Sequence, residues 1–297
     1  MISLSRASEF LAEFQAGMDA PALPERIAAR YQLVSSLGHS PDSGAFLLRR
    51  AEDGALFVLK ADTGEQDLAG EFRLLGRLGR DLAPEPVDYF EKDGVQYLIR
   101  TYLPGQTLAE AWEPGADFAR WAELGARLCG LLARLHSLDP PVVHRDIKPE
   151  NIILSPDGTP RLIDFGAARC CKPGQDADTV CLGTRTTAAP EQYGFAQTDQ
   201  RTDLYALGVT LRWMAAGSYR SEALEEADCP GWVKRFLRRA AAFDPKDRFP
   251  SARRSAAGPR PPWSGQPAPR CSKAARRTAG CTLIPPARPA VPRPRRS

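Results

Sequence analysis

His144-Arg145-Asp146-Ile147-Lys148-Pro149-Glu150-Asn151 is the stretch on which the reading of this chain turns. Asp146 carries a carboxylate able to accept a proton from an attacking hydroxyl. Lys148, two residues on, places a cation where it can offset charge on a group in transfer. Asn151, five residues after the aspartate, offers a side-chain oxygen to a metal ion. Eighteen residues beyond Asp146 comes Asp164-Phe165-Gly166, directly after the strand-like Arg161-Leu162-Ile163. An aspartate at a strand end, followed by a glycine that lets the chain turn, suits a magnesium ligand, because magnesium takes hard oxygen ligands and bridges phosphate oxygens.

Upstream of this stretch the pattern is that of strands. Tyr31–Leu37 and Ala45–Arg50 flank a turn-rich loop from Gly38 to Gly44, and Asp53-Gly54 marks a hairpin before Ala55–Lys60. Apolar residues at Leu68, Phe72, Leu75 and Leu78 predict a helix over 65–78. Strands at Val87–Phe90 and Val95–Leu103 meet at Asp93-Gly94. Downstream, helical period dominates: 117–137, with Leu124, Leu128, Leu131, Leu132 and Leu135 on one side, then 202–216 and 231–243. A strand-rich front and a helix-rich back predict an α+β fold of two lobes joined by a hinge. Residues 1–30 read as a helical extension broken at Pro21 and Pro24.

The run 144–151 together with Asp164-Phe165-Gly166 resembles the catalytic loop and metal-binding motif of eukaryotic-type protein kinases, as found in bacterial serine/threonine kinases. The resemblance covers about residues 31–252. It implies a small antiparallel-sheet N-lobe over 31–103, a larger helical C-lobe over 104–254, and transfer of the ATP γ-phosphoryl group to Ser or Thr hydroxyls of a protein substrate. It implies ATP with magnesium, or manganese in its place. Asp146 and Lys148 are then catalytic, and Asn151 and Asp164 hold the metal. Lys60 matches the strand lysine that contacts the α- and β-phosphates, and Glu71 its helix partner, with Glu65 as a substitute because eleven residues is a short separation. Thr184 and Ala189-Pro190-Glu191 resemble the end of the activation segment, where Thr184 bonds near Asp146 and Lys148. Glu191 is expected to pair with Arg248, and Asp203 to anchor the backbone of the catalytic loop.

Two places depart from the family pattern. The phosphate loop has glycines at Gly38 and Gly44, six apart, with Ser40 at the middle position and Pro41 inserted. Glycines there let backbone N–H groups approach phosphates. The adenine hinge aligns at Thr101-Tyr102-Leu103, which puts Arg100 where the family has an apolar or small residue. A buried unpaired arginine is costly, so Arg100 is expected either to find a carboxylate, with Glu71 as one candidate, or to point outward. The resemblance gives Arg145 the place of an arginine that pairs with a phosphorylated activation-segment residue. Of Thr179, Thr184, Thr186 and Thr187, Thr179 is the leading site for autophosphorylation, and an ordinary loop residue is the equal alternative reading of it. Cys170, Cys171 and Cys181 lie in the same segment near Lys172, where a redox switch is the minor reading and incidental thiols the major one.

Composition adds the context. The 297-residue chain is 43% hydrophobic and has no apolar run long enough to span a membrane. Its start lacks the charged-then-apolar pattern of a secretory signal, so a cytoplasmic location is the default expectation. Seven cysteines without a Cys-x-x-Cys pair, and only three histidines, argue against a zinc site and for reduced thiols. Residues 251–297 hold eleven of the 40 basic residues and no acidic one. That leaves 29 basic against 36 acidic residues before position 251, a net of −7. Ten of the 27 prolines also lie in this tail, and residues 255–297 read as disordered. The tail suits weak contacts with acidic surfaces; with Trp263 its one aromatic, it does not suit specific nucleic-acid binding. The abrupt change of pattern after Arg248 also fits a displaced reading frame. Two rivals remain: a pseudokinase serving as a nucleotide- or protein-binding module, and a small-molecule kinase. Retention of Lys60, Asp146 and Asp164 argues against the first, and the elements at 183–184 and 189–191 against the second.

Overall fold

The structure, a computed structural model, describes residues 23–39, 42–64, 66–115, 117–170, 184, 186–193 and 198–256. Glu65, Thr179, Cys171, Cys181, Lys172, Gly183 and the Ser40-Pro41 insertion lie outside the described residues, as do 1–22 and 257–297.

A short helix α1 (Glu25–Ala28) leads into β1 (Tyr31–His39), β2 (Ser43–Arg50) and β3 (Leu56–Asp62). Helix α2 (Leu68–Leu75) follows, then β4 (Pro86–Lys92) and β5 (Val95–Thr101). The five strands form one antiparallel sheet in the order β1-β2-β3-β5-β4. Side chains alternate between faces along a strand, and here the alternation divides two chemistries. Leu59, Tyr97 and Ile99 turn outward into a layer with Phe46, Leu48, Phe57 and Ile27 of α1. Lys60, Leu98 and Arg100 fall on the other face, where Leu98 packs with Leu68, Leu74 and Leu75 of α2. The strand expected to run to Leu103 ends at Thr101. Helix α2 is shorter than the predicted 65–78 because the Asp67 side chain caps it, accepting from Gly70 N at 2.7 Å, and the chain turns after Gly76.

Beyond β5 come β6 (Gln106–Thr107), α3 (Leu108–Ala111), α4 (Phe118–Leu135) and β7 (Val142–Val143). A 3-10 turn at Pro149–Asn151 precedes β8 (Ile152–Leu154), β9 (Pro160–Leu162) and β10 (Arg169–Cys170). Then follow α5 (Gln200–Ala216), α6 (Ser221–Glu226), α7 (Gly231–Ala240) and α8 (Ala252–Ala256). The leucine face of α4 is buried as its period predicts. Trp121 on α4 and Trp112 donate their indole N–H groups to Leu211 O and Met214 O of α5, at 2.9 and 3.0 Å. Helix α5 is buried almost all round and forms the axis of this lobe. Its Gly208 lies so close to α7 that an added Cβ would stand 2.8 Å from the Ala240 Cβ.

The end of the chain corrects one expectation. Residue 255 was to begin a disordered tail, yet α8 runs to Ala256. Ala252 is 1% exposed and Ser255 4%, and the Cys129 thiol of α4 lies 3.6 Å from Ser255 Oγ. Small side chains at Ala252 and Ser255 close the lobe, because their size lets α8 approach α4 directly.

Candidate active site

The site lies where β3, α2, the 144–151 loop and the segment after β9 converge. Lys60 leaves the inner face of β3 and reaches Glu71 Oε2 at 2.7 Å and Asp164 Oδ1 at 2.9 Å. Glu71 is 2% exposed, so α2 presents a carboxylate among its buried leucines. Burial works against the Lys60 ammonium. The Glu71 and Asp164 carboxylates more than offset it, and its pKa lies above the usual 10.5. Asp164 keeps 42% of its side-chain surface open to the cleft but is surrounded by protein on its other sides. Burial there favours the protonated acid, yet Lys60, then Arg100 and His144, hold the carboxyl well below the usual carboxylate range. Its φ of 63° is left-handed, a conformation L residues hold only under tertiary constraint.

Asp146 stands in a second cluster. Its Oδ1 accepts from the Thr184 hydroxyl at 2.9 Å and from Thr184 N at 3.1 Å. Its Oδ2 accepts from Asn151 Nδ2 at 2.8 Å and lies 2.9 Å from Lys148 Nζ. Lys148 also donates to Thr184 Oγ1 at 2.7 Å. Asn151 Nδ2 donates a second bond to Asp146 O at 2.9 Å, so both bonds fix the amide orientation and leave its oxygen for another partner. Asn151 Oδ1 and the Asp164 carboxylate are hard oxygen donors, the set that magnesium prefers.

Asp203, buried in the first turn of α5, accepts from His144 N at 2.9 Å and Arg145 N at 2.8 Å. Those bonds sustain the left-handed φ of 68° at Arg145. Burial raises the Asp203 pKa, but bonds and charge from His136 and His144 outweigh it and hold the group low. Glu191 and Arg248 form a bidentate pair at 2.6 and 2.8 Å. A cleft of about 260 Å³ opens between the β1-β2 hairpin and the Lys60–Asp164 pair, lined by Gly38, Gly44, Ala45, Lys60, Asp62 and Asp164. Gly38 has a φ of 155°, which a side chain rarely allows.

The structure thus brings Lys60, Glu71 and Asp164 together, and likewise Asp146, Lys148, Asn151 and Thr184. Tyr102 and Leu103 follow β5 at the hinge. The Tyr102 N–H is taken by Leu56 O at 3.2 Å, whereas Leu103 N–H carries no hydrogen bond among the described residues. Arg100 is buried beside Glu71, its Nη1 3.6 Å from Oε1, so the carboxylate expected for it is there. Sequence reasoning missed two supports. His136 bonds Asp203 at 2.8 Å, and Gln192 Nε2 donates to Arg145 O at 2.8 Å. Scarcity could have flagged His136, one of three histidines. Gln192 carried no signal beyond standing next to Glu191.

Comparison with known proteins agrees with this geometry. The protein kinase domain family matches residues 31–251, and the chain belongs to that family. Among its relatives, a probable LRR receptor-like serine/threonine-protein kinase of Arabidopsis thaliana is 30% identical over 61% of this chain and 19% of its own length. Serine/threonine-protein kinase D of Synechocystis is 32% identical over 63% of this chain and 40% of its own. The probable serine/threonine-protein kinase PkwA of Thermomonospora curvata is 32% identical over 66% and 27%. The chain therefore spans well under half the length of these curated relatives.

Proposed function

We propose that this chain is a serine/threonine protein kinase that uses ATP with magnesium, or manganese in its place. The observation that carries the reading is that two clusters, Lys60–Glu71–Asp164 and Asp146–Lys148–Asn151–Thr184, are tied together one residue before Asp164, where Ile163 N–H donates to Asn151 O at 2.9 Å. Bound magnesium-ATP supplies the phosphoryl donor and the metal charge that neutralises it. Asn151 Oδ1 and the Asp164 carboxylate would hold the metal, and Asp164 is ionised at any working pH. Lys60, held by Glu71, offers its ammonium to the α- and β-phosphates, and Gly38 and Gly44 offer backbone at the phosphate loop. Tyr102 and Leu103, which follow β5, would meet the adenine, with the Leu103 N–H as donor.

Asp146 orients the acceptor hydroxyl and takes its proton. Lys148 offsets charge on the group in transfer, and Thr184 fixes Asp146 and Lys148 relative to each other. Catalysis by such an arrangement is mainly positioning and electrostatics. Asp203 sets the loop backbone, and the Glu191–Arg248 pair is structural. Autophosphorylation of Thr179, read by Arg145, belongs to the same proposal, as do a kinase domain over 31–254, protein substrates bearing Ser or Thr, and a cytoplasmic location. Among the described residues no helix is long and apolar enough to cross a membrane.

The test is incubation with magnesium-ATP and a protein acceptor, followed by phosphosite mapping, beside Asp146→Asn. Loss of a positioned base is expected to reduce transfer on the order of 10²–10⁴-fold. Equal phosphorylation in both would reject the enzymatic reading and favour a pseudokinase.

A further inference from the structure

Four charged side chains meet behind the cleft: Lys60, Glu71, Asp164 and Arg100. The first three have a task in phosphoryl transfer, and Arg100 does not. It is 6% exposed and lies on β5 opposite Val58, on the same sheet face as Leu98 and Lys60. Its Nη1 is 3.6 Å from Glu71 Oε1, too far for a hydrogen bond, and that nitrogen is buried without one. The same Oε1 lies 3.4 Å from Phe165 N, while Oε2 holds Lys60 at 2.7 Å. Glu71 therefore faces Lys60 on one oxygen, and Arg100 with the backbone after Asp164 on the other. Gly166 closes the near side: an added Cβ would stand 3.2 Å from Gln66 Oε1 and 3.8 Å from Glu71 Oε2.

The cluster balances as it stands, two cations against two carboxylates. That balance depends on Lys60 serving Glu71 and Asp164 at once. A nucleotide makes a further demand on Lys60, and a metal makes one on Asp164. Glu71 stays buried throughout, and a buried carboxylate that loses its counter-charge is strongly unfavourable. Arg100 is the cation for which phosphates and metal do not compete, and a sub-ångström shift would close its gap to Oε1.

We propose that Arg100 is a positioning residue: it holds Glu71, and with it α2, in the arrangement that keeps Lys60 aimed into the cleft. The inference rests on the phosphotransferase reading, because the nucleotide is what divides Lys60 between two partners. The alternative is that Arg100 only fills space, a role methionine of similar length would serve as well.

Affinity for magnesium-ATP, measured by displacement of a fluorescent nucleotide without any acceptor, separates the two. The set is the full chain, Arg100→Met, Glu71→Gln, the double variant and Arg100→Lys. Arg100→Met is expected to weaken nucleotide binding about tenfold, within the range for residues of one charge network. Arg100→Lys should recover most of that loss, and the double variant should bind no more weakly than Glu71→Gln alone. The KM for an acceptor peptide should not move. Wild-type affinity in Arg100→Met, or losses that multiply in the double variant, would overturn the proposal. Should Arg100→Met give no cooperative melt, Arg100→Gln enters the same cycle under the same criteria. A wild-type chain that binds magnesium-ATP but phosphorylates nothing counts against the enzymatic reading alone and leaves the cycle readable.

Discussion

Asp203 shows how much one side chain can organise. Its two oxygens each hold a backbone N–H of the 144–145 step, and Oδ2 also takes the His136 ring. Arg145 stands in a left-handed conformation that costs about 1–2 kcal/mol without such support. Asp203→Asn puts an amide N–H₂ or a weaker acceptor against those donors. A loss of about 3 kcal/mol in chemical denaturation is expected, the scale for breaking a buried charged network. The pH dependence follows from the same group. The folded Asp203 pKa is depressed below the usual 3.8. Its contribution to stability is therefore complete above about pH 4 and lost as pH falls further toward the folded pKa. Melting temperatures between pH 5 and pH 2.5 should fall more steeply for wild type than for Asp203→Asn. Parallel slopes would mean that Asp203 does not couple folding to protonation.

At the scale of elements, the contact of α5 with α7 depends on having no side chain at position 208. An added Cβ there would stand 3.0 Å from Ala241 N as well as 2.8 Å from the Ala240 Cβ, so backbone would have to move. Gly208→Val is expected to cost about 1–3 kcal/mol by overpacking, read from urea denaturation, with β5 and its hinge unaffected. Unchanged stability would show that α7 can slide on α5. Period was a good guide to such elements and a poor guide to their ends. Helix 117–137 is found at Phe118–Leu135 and 202–216 at Gln200–Ala216, because leucine spacing marks a buried face over many turns. The ends depend on local bonds instead. Asp67 starts α2 late, and the capping box of Asp199 with Thr202 starts α5 early.

For the molecule as a whole, α8 is the closing piece. Cys129, 1% exposed on α4, lies under Ser255, and burial lifts its thiol from 9.0 to about 11. The neutral thiol is favoured by folding, so this contribution holds below about pH 9 and fades as pH rises toward 11. At pH 8 the intact chain should be alkylated by iodoacetamide at the half-buried Cys170 and Cys229 but not at Cys129. A chain ending at Ser251 should expose Cys129 to labelling and melt several degrees lower. Labelling of Cys129 in the intact chain would mean that α8 does not seal the lobe.

Much of the proposed site was legible as motif before any fold was known. Asp146, Lys148, Asn151 and Asp164 stand in two short runs that resemble the protein-kinase catalytic loop and metal-binding motif, and residues so close in sequence stay close in space. The β-strands and the long helices were legible as well, because each carries its buried face in its own period. What tertiary structure alone decided are the meetings between distant residues. Glu71 could be named as a partner of Lys60, but only packing of α2 on β5 puts that carboxylate 2% exposed between two cations. Gln192 and the left-handed turns at Arg145 and Asp164 left no mark in the sequence, and His136 left only its scarcity. A backbone angle and a bond across 50 or 60 residues are imposed by the surrounding core, whose shape depends on every element at once.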